Sequence, residues 1–244
     1  MQLFIRHRLQ DKLVLPLNYQ HILQAIIYKN LNLGAEYSKF LHDNGFPYEK
    51  RKFKLFTFSL LQGKYEICEH KIIFRNEVFF EVRSPDIFMM NLLAEGIARN
   101  GIAYGDRHIT DVDVNLDDAT IETDELYVKM LTPISVYSTD RETGKTYFYN
   151  PSEDEFSQLV KDNFVRKYIA CYGVEPESSI AIEPAYVSVK DKYVTKYKNF
   201  YISGWFGEYY LYGQRKYLDF LYQTGLGSKN SQGFGMFSVL KQER

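Results

Sequence analysis

Three side chains near the start of the chain have types suited to moving protons and holding negative charge: Tyr28, His42 and Lys54. A phenol can take or orient a proton, an imidazole can give one near neutral pH, and an ammonium can stabilise an anion. Each also has an ordinary reading. On a helical wheel Ile22, Leu23, Ile26, Ile27 and Leu31 form one apolar stripe, and Tyr28 falls outside it beside Gln24 and His21, as a surface tyrosine would. His42 stands in the last turn before Gly45, where the helix end favours imidazolium and where a histidine can equally be a plain cap. Lys54 shares strand parity with Phe56, Phe58 and Leu60 and so points toward the face that helices should cover, where it must snorkel or find a partner.

A second group lies at the other end of the sequence. Gly225 to Gly235 carries four glycines in eleven residues, with Ser228, Lys229, Asn230 and Ser231 between them. A dinucleotide fingerprint would need glycine where Asn230 stands, and a Walker loop would need glycine and lysine adjacent, where Ser228 intervenes. Both also run strand, loop, helix, whereas the order here is helix, loop, strand. What remains is either a tight turn needing positive φ or a loop whose bare backbone N–H groups, with Lys229, Asn230 and Ser231, suit the phosphates of an extended polymer.

Asp111 and Asp113 would share one face of a strand and could bind a hard cation, but no third carboxylate is arranged with them. The wet face of an edge strand accounts for them. Cys68 and Cys171 are too far apart for a paired zinc motif and too few for a disulfide framework, which leaves reduced, buried thiols. With 30 Lys and Arg against 31 Asp and Glu, the net charge of −1 excludes a global attraction to nucleic acid, so any such site is a local patch. Lys50, Arg51, Lys52 and Lys54 make one. No run approaches the roughly 18 apolar residues of a membrane span, and the protein is expected in the cytoplasm, with no membrane association.

The elements that must position these groups read as an α+β chain. Strands are expected at 2–10, 56–60, 72–82 (bent around Arg75 to Glu77) and 109–116, the middle two as a hairpin. Helices follow Pro16, run up to Gly45, and run from a Ser84 cap with Pro85 at the first position to Gly101. That order, β-α-β-β-α-β, recurs with strands at 126–137, 180–189, 194–212 and 234–240. A helix opened by a Ser152–Glu155 capping box ends at Gly173, and a last helix carries Tyr217, Leu218, Leu221 and Tyr222. Two tandem ferredoxin-like (RRM-like) domains over residues 1–118 and 124–244 result, the first with the three reactive side chains and the second with the glycine-rich loop.

On the glycine-rich run Gly225 to Gly235, the segment Pro16 to Leu31, the run Leu41-His42-Asp43-Asn44-Gly45 and the run Lys54 to Ser59, the chain resembles the CRISPR repeat-processing endoribonucleases of the repeat-associated mysterious protein superfamily. The resemblance implies tandem ferredoxin-like folds and binding of CRISPR repeat RNA, which is cut once per repeat. It also implies a metal-independent reaction without cofactor, in which Tyr28, His42 and Lys54 match the family's catalytic tyrosine, histidine and lysine. His42 is then the acid, Lys54 the charge stabiliser, and Tyr28 a base or an orienting group, because an unperturbed tyrosine is a poor base at neutral pH. Lys50, Arg51 and Lys52, together with Gly225, Gly227, Ser228, Lys229, Asn230, Ser231 and Gly233, are expected to hold RNA. A relative that binds repeat RNA without cutting it is the alternative. A homodimer and a transient association with a CRISPR effector complex stay open.

Overall fold

The computed structural model describes residues 1–197 and 200–242. In the first half, β1 (Gln2–Arg8) and β2 (Leu13–Pro16) lead into α1 (Gln20–Asn30) and the short α2 (Ala35–Lys39). A small hairpin, β3 (Phe46–Tyr48) and β4 (Arg51–Phe53), follows, then β5 (Thr57–Phe58), β6 (Gln62–Cys68) and the long β7 (Lys71–Arg83). α3 (Ile87–Asn100), the hairpin β8 (Ile102–Tyr104) and β9 (Arg107–Ile109), and β10 (Val112–Asp117) complete the half. The sheet order is β10-β1-β7-β2, with β5 and β6 on the other side of β7.

Period-two burial explains the sheet. Leu3, Ile5, Val78, Phe80 and Val82 are fully buried on the face covered by α1 and α3, whose Leu23, Ile27, Met90, Leu93 and Ile97 are equally buried. The two helices meet closely because Gly96 has no side chain: a Cβ there would come within 2.0 Å of the Asn30 carbonyl oxygen.

The second half repeats the plan. Its elements are β11 (Glu125–Met130), the hairpin β12 (Tyr137–Thr139) and β13 (Thr146–Phe148), α4 (Asp154–Tyr172), β14 (Ala181–Tyr186), the ribbon β15 (Lys192–Tyr197) and β16 (Phe200–Trp205), β17 (Glu208–Tyr212), α5 (Arg215–Thr224) and β18 (Phe237–Gln242). The sheet runs β14-β17-β11-β18, the ferredoxin-like order again. A second core gathers Leu126, Val128, Phe156, Phe164, Tyr209, Leu211 and Leu221. The α+β architecture of two tandem ferredoxin-like units is therefore present.

Several local expectations are corrected. Only Thr57 and Phe58 of the 56–60 strand join the sheet, opposite Arg83 and Val82, and the hairpin partner of β7 is β6. β6 escapes a core-pattern reading because Gly63 to Cys68 lie exposed beyond the helices. The bend in β7 is a bulge: pairing slips between Gly63 and Lys64, and Asn76 has a φ of 69°. Asp86, not Ser84, caps α3 by accepting from the Met89 amide at 3.0 Å, while Ser84 accepts from the Asp86 amide at 3.1 Å. α4 starts after Glu153 without the Ser152 box, since Ser152 bonds Asn150 instead. The strand expected over 126–137 stops at Met130, and Pro133, which has no N–H to donate, lies in the break. The stretch 194–212 divides into most of β15, then β16 and β17. Cys68 is exposed and Cys171 half-buried, so neither is a core thiol.

The halves are bolted together through buried polar groups. Arg83, 3% exposed, pairs with Glu81, donates to the Phe237 carbonyl at 2.7 Å and lies 3.7 Å over the Tyr222 ring. Thr57 Oγ1 donates to the Phe234 carbonyl at 3.2 Å, and Gln20 Nε2 to that of Gly233 at 3.3 Å. Leu55 crosses over altogether: with a φ of 51° it turns into the second core, while its neighbour Phe56 is buried in the first.

Candidate active site

α1 buries Leu23, Ile26 and Ile27 and leaves Tyr28 half-buried at the rim of that core. The Tyr28 ring makes edge contacts with two others, His42 at 5.7 Å between centroids and Phe56 at 6.0 Å. Tyr28 is thus set by packing and is more than a surface tyrosine. After α2 the chain widens into a π-helical turn, Phe40–Asn44, which Gly45 ends at a φ of 59° by donating its amide to the Phe40 carbonyl. This turn displays His42 to solvent. Its Nδ1 donates to Asp43 Oδ1 at 2.8 Å, which leaves Nε2 as the outward nitrogen and holds the Asp43 carboxyl below its usual range.

Lys54 arrives differently from its expected strand parity. Residues 54 to 56 form no strand, because of the turn at Leu55, and the lysine's partner is a helix end. Nζ donates to the carbonyls of Leu41 and His42, the latter at 2.7 Å. Lys52 adds a bond to the Asp43 carbonyl at 3.0 Å. Burial, then the charge of Lys52, pushes the Lys54 ammonium below its ordinary value. The structure therefore brings Tyr28, His42 and Lys54 together at one turn, and Tyr28, His42 and Asp43 line a shared groove. Among the described residues no group of three His, Cys, Asp or Glu side chains could hold a metal ion.

Next to Lys54 opens a cleft between the halves, walled by Arg51, Lys52, Ser228, Lys229, Asn230 and Ser231. Lys50, also expected to hold RNA, is exposed on the β3–β4 turn and does not line this cleft. The glycine loop is less open than its sequence suggests. The amides of Gly225, Leu226, Ser228, Gly233 and Gly235 already donate within the chain, so the expected bare N–H groups are absent at these positions. Asn230 is likewise spent: Nδ2 donates to the carbonyls of Leu226 and Phe234 at 2.9 and 3.1 Å, and Oδ1 accepts from Lys167 at 3.3 Å. The glycines serve this folding, with Gly225, Gly227, Gly233 and Gly235 all at φ between 64° and 83°. Lys229, with a φ of 62°, keeps its side chain in the cleft over the Tyr137 ring at 4.8 Å.

Sequence reading missed Asn163 and Lys167 of α4 and Tyr137 of β12, which line the same cleft. Lys167 is 2% exposed, donates to the Gly225 carbonyl, and is pushed down to about 7 by burial. Its signal was a polar residue inside an apolar helical stripe.

With this geometry established, two family models match the chain. The model described as CRISPR-associated protein Cas6, N-terminal, covers residues 14–117, and the one described as CRISPR associated protein Cas6, C-terminal, covers residues 115–239. The chain belongs to the Cas6 family. Among relatives of this Cas6 protein, the CRISPR-associated endoribonuclease Cas6 of Pyrococcus furiosus is 29% identical over 98% of this chain and 90% of its own length. A CRISPR-associated endoribonuclease Cas6 of Methanocaldococcus jannaschii is 27% identical over 91% of this chain and 86% of its own. In fold, the chain resembles a Cas6-related Pyrococcus furiosus protein with a TM-score of 0.83 at 24% identity, covering 100% of this chain and 99% of that one. It also resembles an RAMP protein binding different RNA substrates, at 0.81 and 21%, covering 99% and 100%. The family is one of CRISPR-associated endoribonucleases, and this chain is an endoribonuclease of that kind.

Proposed function

We propose that this protein binds CRISPR repeat RNA and cuts the precursor within each repeat, without a metal ion, by attack of a 2′-hydroxyl on the adjacent phosphate. The observation that carries this reading is the cluster of Tyr28, His42 and Lys54 at a single turn. In the reaction the 2′-oxygen loses its proton and bonds phosphorus while the bond from phosphorus to the 5′-oxygen breaks. The products are a 2′,3′-cyclic phosphate, which can open to a 3′-phosphate, and a 5′-hydroxyl.

The roles follow from chemistry and placement. With Nδ1 tied to Asp43, His42 presents Nε2 and gives the leaving 5′-oxygen its proton. Lys54 uses two donors on helix carbonyls and has a third N–H for the phosphorane-like transition state. Tyr28, edge-on to His42, takes or orients the 2′-hydroxyl proton. Arg51, Lys52, Lys229 and the hydroxyls of Ser228 and Ser231 supply an adjoining cationic track for the RNA backbone.

The test is cleavage of end-labelled repeat RNA from the same genome in excess EDTA, beside RNA with a single 2′-deoxy residue at the cut site and beside His42→Ala. Cleavage is expected to persist in EDTA, to stop with the deoxy substrate, and to slow about a hundredfold to ten-thousandfold in the variant. Tight binding with no cleavage would leave a repeat-binding module and reduce His42 to a helix-end cap.

A further inference from the structure

α4 carries polar side chains where its buried stripe should be apolar. Phe156, Val160 and Phe164 pack into the second core, and Asn163 and Lys167, one turn apart, are buried with them at 5% and 2% exposure. Lys167 has partners in the glycine loop. Asn163 Oδ1 has none among the described residues, and neither does Gln232 Oε1 on the opposite wall. Buried acceptors without donors are few in natural proteins and call for an explanation.

Asn163 lines two adjoining cavities of about 330 and 440 Å³, which also share Arg51, Tyr137 and Ser228. Those volumes are in the range of small-molecule sites. Among the described residues every charged side chain lining them is cationic, from Arg51, Lys52 and Lys229 on one side to Arg141 and Arg166 on the other. Tyr137 is half-buried and presents a ring with the Lys229 ammonium 4.8 Å from its centroid. An aromatic face, cations for phosphate and an amide with an idle acceptor are the three things needed to hold one splayed-out nucleotide.

We infer that these cavities hold a single unpaired nucleotide of the bound RNA, with Asn163 reading the edge of its base and Tyr137 stacking on its face. The inference rests on the RNA-cleaving reading above. Oδ1 of Asn163 accepts from an exocyclic amine or ring N–H of the base, which its unpaired state leaves it free to do. The cavities are joined to the catalytic turn through Lys54, which lines the first of them and bonds the His42 carbonyl. A base locked here therefore fixes which phosphate reaches His42.

The experiment is an abasic scan. Repeat RNA carrying one abasic residue at each unpaired position in turn is bound to wild type, Asn163→Ala and Tyr137→Ala, with thermal melts confirming that both variants fold. At one position the abasic residue should weaken wild-type binding by about five- to a hundredfold and cost either variant nothing further. If every abasic position weakens all three proteins by the same factor, the pocket reads no base and Asn163 is only a core asparagine. Tyr137→Ala, on the half-exposed β12, keeps the test decisive should Asn163→Ala not fold. Failure of the wild type to bind any unmodified repeat RNA would overturn the proposed function and this pocket with it, which separates the two results.

Discussion

The ammonium of Lys54 lies 2.7 Å from the carbonyl oxygen of His42. A cation at the C-terminal end of a helical turn satisfies carbonyls that have no amide partner and complements the local dipole. The lysine thus clamps the turn that displays the imidazole as well as adding charge to the site.

Lys54→Ala should therefore slow single-turnover cleavage by about a hundredfold or more. It should also speed amide hydrogen exchange over Phe40–Asn44. A slowed enzyme with unchanged exchange there would assign the lysine to the phosphate alone.

His7 gives the fold an acid limit. It is 2% exposed, both ring nitrogens lack partners among the described residues, and it packs 5.5 Å from the Tyr104 ring. Burial, with the charge of Arg107 added, pushes its imidazole down from 6.5 to about 4. The unfolded chain takes up a proton at a pH where the folded one does not. Stability is full above about pH 6.5 and falls as pH drops toward 4, by about 3 kcal/mol in all from this group. Urea midpoints at pH 7 and pH 4.5 should separate widely for wild type and less for His7→Leu.

Arg83 should show the cost of orphaning a buried partner. Removing the guanidinium leaves Glu81, itself 5% exposed, without its ion pair and the Phe237 carbonyl without its donor. Arg83→Met should cost about 3–5 kcal/mol in urea unfolding. The double variant Arg83→Met with Glu81→Gln should recover part of that loss.

The glycines divide into two sorts that calorimetry can separate. A Cβ on Gly235 would come within 2.0 Å of the Leu226 carbonyl oxygen at a φ of 77°, whereas one on Gly144, at 69°, would meet nothing within 4 Å among the described residues. Gly144→Ala should cost about 1–2 kcal/mol, the left-handed backbone penalty alone. Gly235→Ala should cost clearly more and weaken RNA binding through the distorted loop.

Periodicity made the frame legible. The stripe of α1, the glycines after α3 and α4, and the order β-α-β-β-α-β repeated over the chain are all visible in residue types and spacing. What stayed hidden depended on partners distant in sequence. Lys54 could not be placed by strand parity, because the Leu55 turn answers to a core built from residues beyond 120. Asp86 displaced Ser84 as a cap through hydrogen bonds that residue spacing does not rank. For the site, Tyr28, His42 and Lys54 were matched through a family resemblance, since pattern alone left each an ordinary alternative. Asn163 and Lys167 were legible in principle as polar residues in the stripe of Phe156, Val160 and Phe164, a mismatch that marks a site more often than an error.

Leu55 sits one residue from Lys54 and one from Phe56, yet belongs to the opposite core. The chain repeats its architecture, but the copies cannot be traded as cassettes. An N-terminal half expressed alone would lose the anchor beneath its own lysine, and a C-terminal half transplanted elsewhere would carry a hole where Leu55 had been. A change deep in the second core, far from any reacting atom, would be felt at the catalytic turn, so the two halves are bound to drift together or not at all.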